Sequence, residues 1–173
     1  MFSIHGNHDD PSSADDTSAV DILASANLLN YFGKSKITRS DANNAGEVKI
    51  CPILIRKGDT KLALYGMGNI RDERMCRLFS SPKGVEWARP ASNEVAHIDD
   101  WVNLFILHQN RVAHVQGAKN IVKESHLPKF LDMVVWGHEH ECIPEPWVRR
   151  LNYVACNYIH ACDFIMVLFC SHL

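Results

Sequence analysis

Three times in this sequence an apolar run of about four to six residues stops abruptly at a short polar turn that carries histidine. The turns are Gly6-Asn7-His8-Asp9, His108-Gln109-Asn110 and Gly137-His138-Glu139-His140. Apolar runs of this length, punctuated by Gly, Asn and Asp, read as buried strands. Helical spacing between them makes the chain α/β, and an antiparallel hairpin makes its sheet mixed. In such sheets, sites assemble outside the carboxyl ends of the strands. The three turns are therefore expected to converge, although more than half the chain lies between the outer two.

Imidazoles with amide or carboxylate oxygens suit Mn, Fe or Zn, and turns poor in thiolate are unlike a cysteine-type structural zinc site. His138 and His140 are two residues apart, on one side of an extended backbone, so each can serve one of two neighbouring metals. Gly6 and Gly137, just before the ligands, allow a sharp turn and a close approach of metal or phosphate. A pair of ions is the clamp used for phosphoester hydrolysis. His8, beside the ligand candidate Asn7, is then placed to protonate the leaving oxygen, with Asp9 orienting it. A single histidine in a loop is more often a hydrogen-bonded residue than a ligand. His97, His114, His126, His160 and His172 are read that way, and so is His5, which lies within its strand.

Elsewhere, Ser13 and Asp16 have capping-box spacing, and Ala19, Ile22, Leu23, Ala26 and Leu29 follow at helical intervals until Gly33. Residues 48–56 and 61–65 are two extended runs joined by Lys57-Gly58-Asp59-Thr60, a hairpin. Residues 72–79 are a short helix, 80–100 are irregular, and a further short helix is expected near 127–131. Arg71, Arg74 and Arg77 read as one solvated helix face, with nucleic-acid contact a minor alternative.

A chain of 173 residues, 46% hydrophobic, is long enough to bury a core. Its net charge of -2 excludes a binder of nucleic acid that works by bulk positive charge. Six cysteines without a C-x-x-C pair suggest a reduced, intracellular protein. The apolar stretch 164–170 is too short for a membrane helix, and Asp163 and His160 interrupt any extension of it.

Over residues 2–145 the runs FSIHGNHDDP, LALYGMG, DERM, NLFILHQNR and VVWGHEHEC resemble the calcineurin-like metallophosphoesterases, and within them the eukaryotic double-strand-break repair nucleases. The resemblance implies a sandwich of mixed sheets flanked by helices. It implies that Asn7, His108 and His138 bind one manganese ion and His140 the other, with His8 the catalytic histidine that is not a ligand. It implies 3'-to-5' exonuclease action on duplex DNA and endonuclease action on single strands and hairpins, in the nucleus. The implied partners are DNA, an SMC-like ATPase (Rad-fifty), a nibrin-type adaptor and a second copy of the chain. Val20, Leu23 and Ala24 would then belong to the dimer interface, and Arg111 to a loop near DNA.

The family pattern also opens with a D-x-H turn and a turn bearing a metal-bridging Asp, and no D-x-H occurs in this sequence. The expectation is an N-terminally incomplete phosphoesterase domain over 1–146, with an incomplete two-ion site and no activity alone. Residues 147–173 depart from the pattern and read as a divergent apolar tail. The rival expectations are a related metallophosphatase and a non-catalytic, dimerising or scaffold piece of the repair complex.

Overall fold

The computed structural model describes residues 1–11, 15–38, 46–90, 97–111, 121–138, 143–148, 154–157 and 166–167, the last three stretches as backbone. The chain begins with β1 (Phe2–Ser3), α1 (Ala19–Ser25) and β2 (Asn30–Tyr31). Next come β3 (Val48–Ile50), β4 (Ile53–Lys57), β5 (Thr60–Met67), α2 (Asp72–Ser80) and β6 (Val85–Trp87). The rest is β7 (Val102–His108), β8 (Met133–Gly137), β9 (Ile143–Val148), β10 (Val154–Asn157) and β11 (Met166–Val167).

The main sheet has six strands in the order β4-β5-β7-β8-β10-β9. β5, β7, β8 and β10 run parallel, and the two edge strands are antiparallel to their neighbours. A parallel strand covered on both faces is apolar almost without interruption, and β5 and β7 are. Tyr65, Met67, Phe105, Leu107, Val134 and Trp136 pack on one face with Met75, Leu78 and Phe79 of α2. The alternate residues Leu64 and Ile106 pack on the other face with Ile4 and Phe32, which flank the second sheet, β11-β1-β2. Two sheets therefore enclose one core layer while α2 covers the outer face of the larger sheet, the sandwich of mixed sheets that the family resemblance implied.

The expected hairpin is present, with Lys57 opposite Thr60. Residues 48–56 are not one strand. Pro52 has no N–H to continue a ladder, and the run divides into β3, paired with β6, and β4, on the edge of the main sheet. β6 lies inside the stretch expected to be irregular. No helix forms at 127–131, where a short one was expected; a 3-10 turn at Glu124–His126 lies just before it.

Helix α1 also differs from its expected form. Its N-cap is Ser18, whose side chain accepts from the Asp21 N–H while the Asp21 carboxylate accepts from the Ser18 N–H. The expected cap at Ser13 lies outside the described residues. The helix stops before Asn27, which adopts a left-handed φ of 58°. The Asn27 N–H donates to the Ala24 carbonyl and the Leu28 N–H to that of Leu23, a pattern that closes a helix end. The expected apolar stripe does not face inward: Val20 is the buried residue of the helix, and Ile22 is 68% exposed. β9 runs across the boundary expected after residue 146. Among the described residues no helix is long and apolar enough to cross a membrane.

Candidate metal centre

β5, β7 and β8 end side by side because their register is parallel, with His108 opposite Gly137 at the last step. The turn after β1 is drawn to this edge by backbone bonds: the Asn69 N–H, just past β5, donates to the His5 carbonyl at 3.0 Å. Gly68 is required there, since a Cβ would lie 2.0 Å from the His5 ring. His5 itself is buried and braces three segments. The Tyr31 hydroxyl donates to its Nδ1 at 2.7 Å, and its Nε2 donates to the Asn69 carbonyl at 3.1 Å. Burial pushes its pKa down, against the opposing hydrogen bond to Asn69 and the nearby Asp10 and Asp9. It was expected within its strand, but β1 ends at Ser3 and His5 lies in the stretch that follows.

The turn then presents Asn7, and two of the three histidine turns meet it. His108 Nε2 lies 2.9 Å from Asn7 Oδ1, His138 Nδ1 lies 3.3 Å from the same oxygen, and the two ring nitrogens are 3.1 Å apart. His108 Nε2 accepts from the Asn7 N–H at 3.3 Å in one tautomer and donates to Asn7 Oδ1 at 2.9 Å in the other. Amide oxygens only accept.

These spacings match what a cation needs. Ligands at about 2.1 Å and right angles around an octahedral ion are about 3.0 Å apart, and the three separations bracket that value. Two imidazoles and an amide oxygen suit a borderline ion such as Mn or Zn. Among the described residues no three His, Cys, Asp or Glu side chains gather, so the amide of Asn7 is what completes the set. His138 holds its place with a φ of 90°, a strained backbone for a residue with a side chain. The sharp turn expected of Gly137 is thus taken by the ligand candidate itself.

The remaining candidates fall in several places. His8 is exposed, directly after Asn7, and Asp9 accepts from the Gly6 N–H at 2.7 Å, which braces the turn. His140 lies outside the described residues. Arg111 is turned inward: its guanidinium donates to Glu124 at 3.0 and 3.1 Å, and its side chain is 8% exposed, so it presents no open face to a DNA strand. Val20 is fully buried in this chain's own core and unavailable to a partner, while Leu23 and Ala24 are half-buried. Sequence reasoning misses Glu124, whose partner is 13 positions away across a loop, and Asp72, which accepts from the Asn110 amide at 3.1 Å and ties α2 to the His108 turn. No local signal marks either pairing.

The calcineurin-like phosphoesterase family matches residues 1–142. The chain is 52% identical over 146 residues, 84% of its length, to the double-strand break repair protein MRE11 of Arabidopsis thaliana. It is 49% identical over 146 residues to that of Oryza sativa subsp. japonica and 47% identical over 157 residues, 90% of its length, to that of Homo sapiens. Each match covers 20% of the relative, so the chain spans about a fifth of the length of the curated relatives it matches.

Proposed function

As the chain belongs to the calcineurin-like phosphoesterase family over residues 1–142, we propose that it carries part of the catalytic centre of a DNA nuclease of double-strand-break repair. The observation that carries this reading is the meeting of Asn7 Oδ1, His108 Nε2 and His138 Nδ1 within 3.3 Å of one another. Those three would hold one manganese ion, and His140 would contribute to a second. When bound, the ions neutralise charge on the phosphate and make the attacking water more acidic. The water oxygen bonds to phosphorus and the ester bond to the leaving oxygen breaks. His8 gives that oxygen its proton, and the water's own proton passes to solvent. Asp9 keeps the turn, and with it His8, in place through the Gly6 N–H.

Action at a recessed 3' end and on single strands, a nuclear location, and assembly with an SMC-like ATPase and a nibrin-type adaptor are the finer parts of the same reading. Dimerisation falls to α1, through Leu23 and Ala24 with the exposed Ile22 and Leu28 beside them. The sequence contains no Asp-x-His, so one ion would find three donors in this chain and the other would lack most of its own. We expect manganese binding by this chain and hydrolysis only when an Asp-x-His turn and a bridging carboxylate stand in the same polypeptide.

Two measurements test it. Calorimetric titration with manganese should give a binding isotherm that His108→Ala and His138→Ala each weaken by at least tenfold; unchanged isotherms would remove the ligand assignment. Cleavage of 3'-recessed duplex DNA should appear in a polypeptide that also carries those motifs and vanish on His8→Ala. Activity that survives the change would take His8 out of the reaction.

A further inference from the structure

A cavity of about 730 Å³ opens beside the Asn7 turn and is lined by His5 and Asp10, the residues that flank that turn. Its cations come from two other segments. Lys34 is already engaged, by Asp21 at 3.1 Å and by the Asp16 carbonyl. Lys36, Arg71 and Arg74 have no carboxylate within ion-pair distance among the described residues, and Arg74 Nε is buried with no hydrogen-bond partner. Arg77, the third arginine of the charged helix face, lies outside the cavity. Two of that face's three arginines thus turn toward a hollow next to the metal turn, which simple solvation does not call for.

The rest of the lining narrows the ligand. Ile37 and Ile70 supply apolar surface, and Asp10, Asp15 and Asp16 supply acceptors. A simple anion would gain nothing from the isoleucines and would be repelled by the carboxylates. A nucleotide has use for all three: a phosphate for the cations, a base face for the apolar wall, and amino groups that donate to carboxylates. The volume lies within the range of small-ligand sites, roughly 300–1,000 Å³. We propose that this cavity seats one unpaired nucleotide of the strand being cut, its phosphate held by Lys36, Arg71 and Arg74. A duplex cannot enter unless the base leaves its stack. The inference rests on the phosphodiesterase reading above and adds a strand-binding site to it.

The test is fluorescence anisotropy of a short labelled oligodeoxycytidylate with this chain in EDTA, so that no metal contributes. Lys36 and Arg71 are both exposed, and the Lys36→Ala/Arg71→Ala variant is expected to keep the wild-type urea midpoint. It should bind the single strand about tenfold less tightly. The slope of log affinity against log salt should fall by about 0.7 for each cation removed from a phosphate, about 1.4 in all. Arg77→Ala should bind as wild type does, and a duplex of equal length should bind more weakly than the single strand. Unchanged affinity in the double variant, equal damage from Arg77→Ala, or equal competition by heparin would overturn the proposal. The manganese titration separates the two readings. If it succeeds while the cavity variants bind normally, the strand site alone is lost. If it fails while they bind weakly, the cavity is a nucleic-acid site and the metal reading is lost.

Discussion

Along β5, β7 and β8 the residues that face α2, Tyr65, Met67, Phe105, Leu107, Val134 and Trp136, are all buried, whereas α1 buries Val20 alone, and Ile22 within it and Leu28 just beyond it are about two-thirds exposed. The sheet is held from both faces and the helix by its ends, through the Ser18–Asp21 cap and the turn at Asn27. The donor atoms stand on the first kind of structure. A site that depends on three atoms from distant turns lying within 3.3 Å of one another needs a rigid support, and parallel register gives His108 and Gly137 one. Helix α1 bears no such demand, and its exposed apolar residues suit a surface that a partner covers.

The largest effect should separate these two regions directly. Phe105→Ala is expected to cost about 3–5 kcal/mol in urea denaturation, and Val20→Ala about 1–3 kcal/mol. Equal costs would mean that α1 is as firmly integrated as the sheet. Next comes the seam between sheet and turn. Gly68→Ala drives a methyl into the His5 ring, for about 1–3 kcal/mol. The loss should shrink when His5→Ala is added, a coupling that a double-mutant cycle measures. Additive losses would show that the two residues do not press on each other.

How much of the molecule is legible in its sequence differs by region for a physical reason. The strands that carry Asn7, His108 and His138 are short, apolar and end in polar turns, so their positions follow from local chemistry, and β-sheet connectivity then leaves few ways to arrange them. Helix α1 is harder to read because its pattern is apolar on several sides. Ile22 and Leu23 stand at core spacing, yet the residue that is buried is Val20. The break at Pro52 is visible in principle, through the missing N–H. Glu124 is not, because ion pairs across loops leave no periodic trace, and so Arg111 looks available when it is occupied.

A smaller effect should sharpen the claim that the sheet's ends carry strain for function. His138 has a φ of 90°, which glycine adopts without cost. His138→Gly is therefore expected to raise the metal-free stability by about 1 kcal/mol and to abolish the rise in melting temperature that manganese gives the unaltered chain. Lower stability without metal would mean that the imidazole supports the fold and is no strained ligand.

The smallest effect belongs to α1, and its pH dependence gives it away. Burial alone would raise the Asp21 pKa, but the Ser18 backbone N–H, the Lys34 ammonium and the Ser18 hydroxyl outweigh it and hold the carboxyl below its ordinary value of 3.8. A folded value below the unfolded one means that the unfolded chain takes up the proton first. The contribution is then fully present above pH 3.8 and is lost as the pH falls through the folded value. Because this carboxylate is partly exposed and screened, Asp21→Asn should cost less than about 1 kcal/mol at neutral pH. The gap between the two proteins should close on acidification, as followed by urea midpoints at successive pH values. A gap that stays constant would place the role of Asp21 in its shape and not its charge, and would leave α1 held by packing after all.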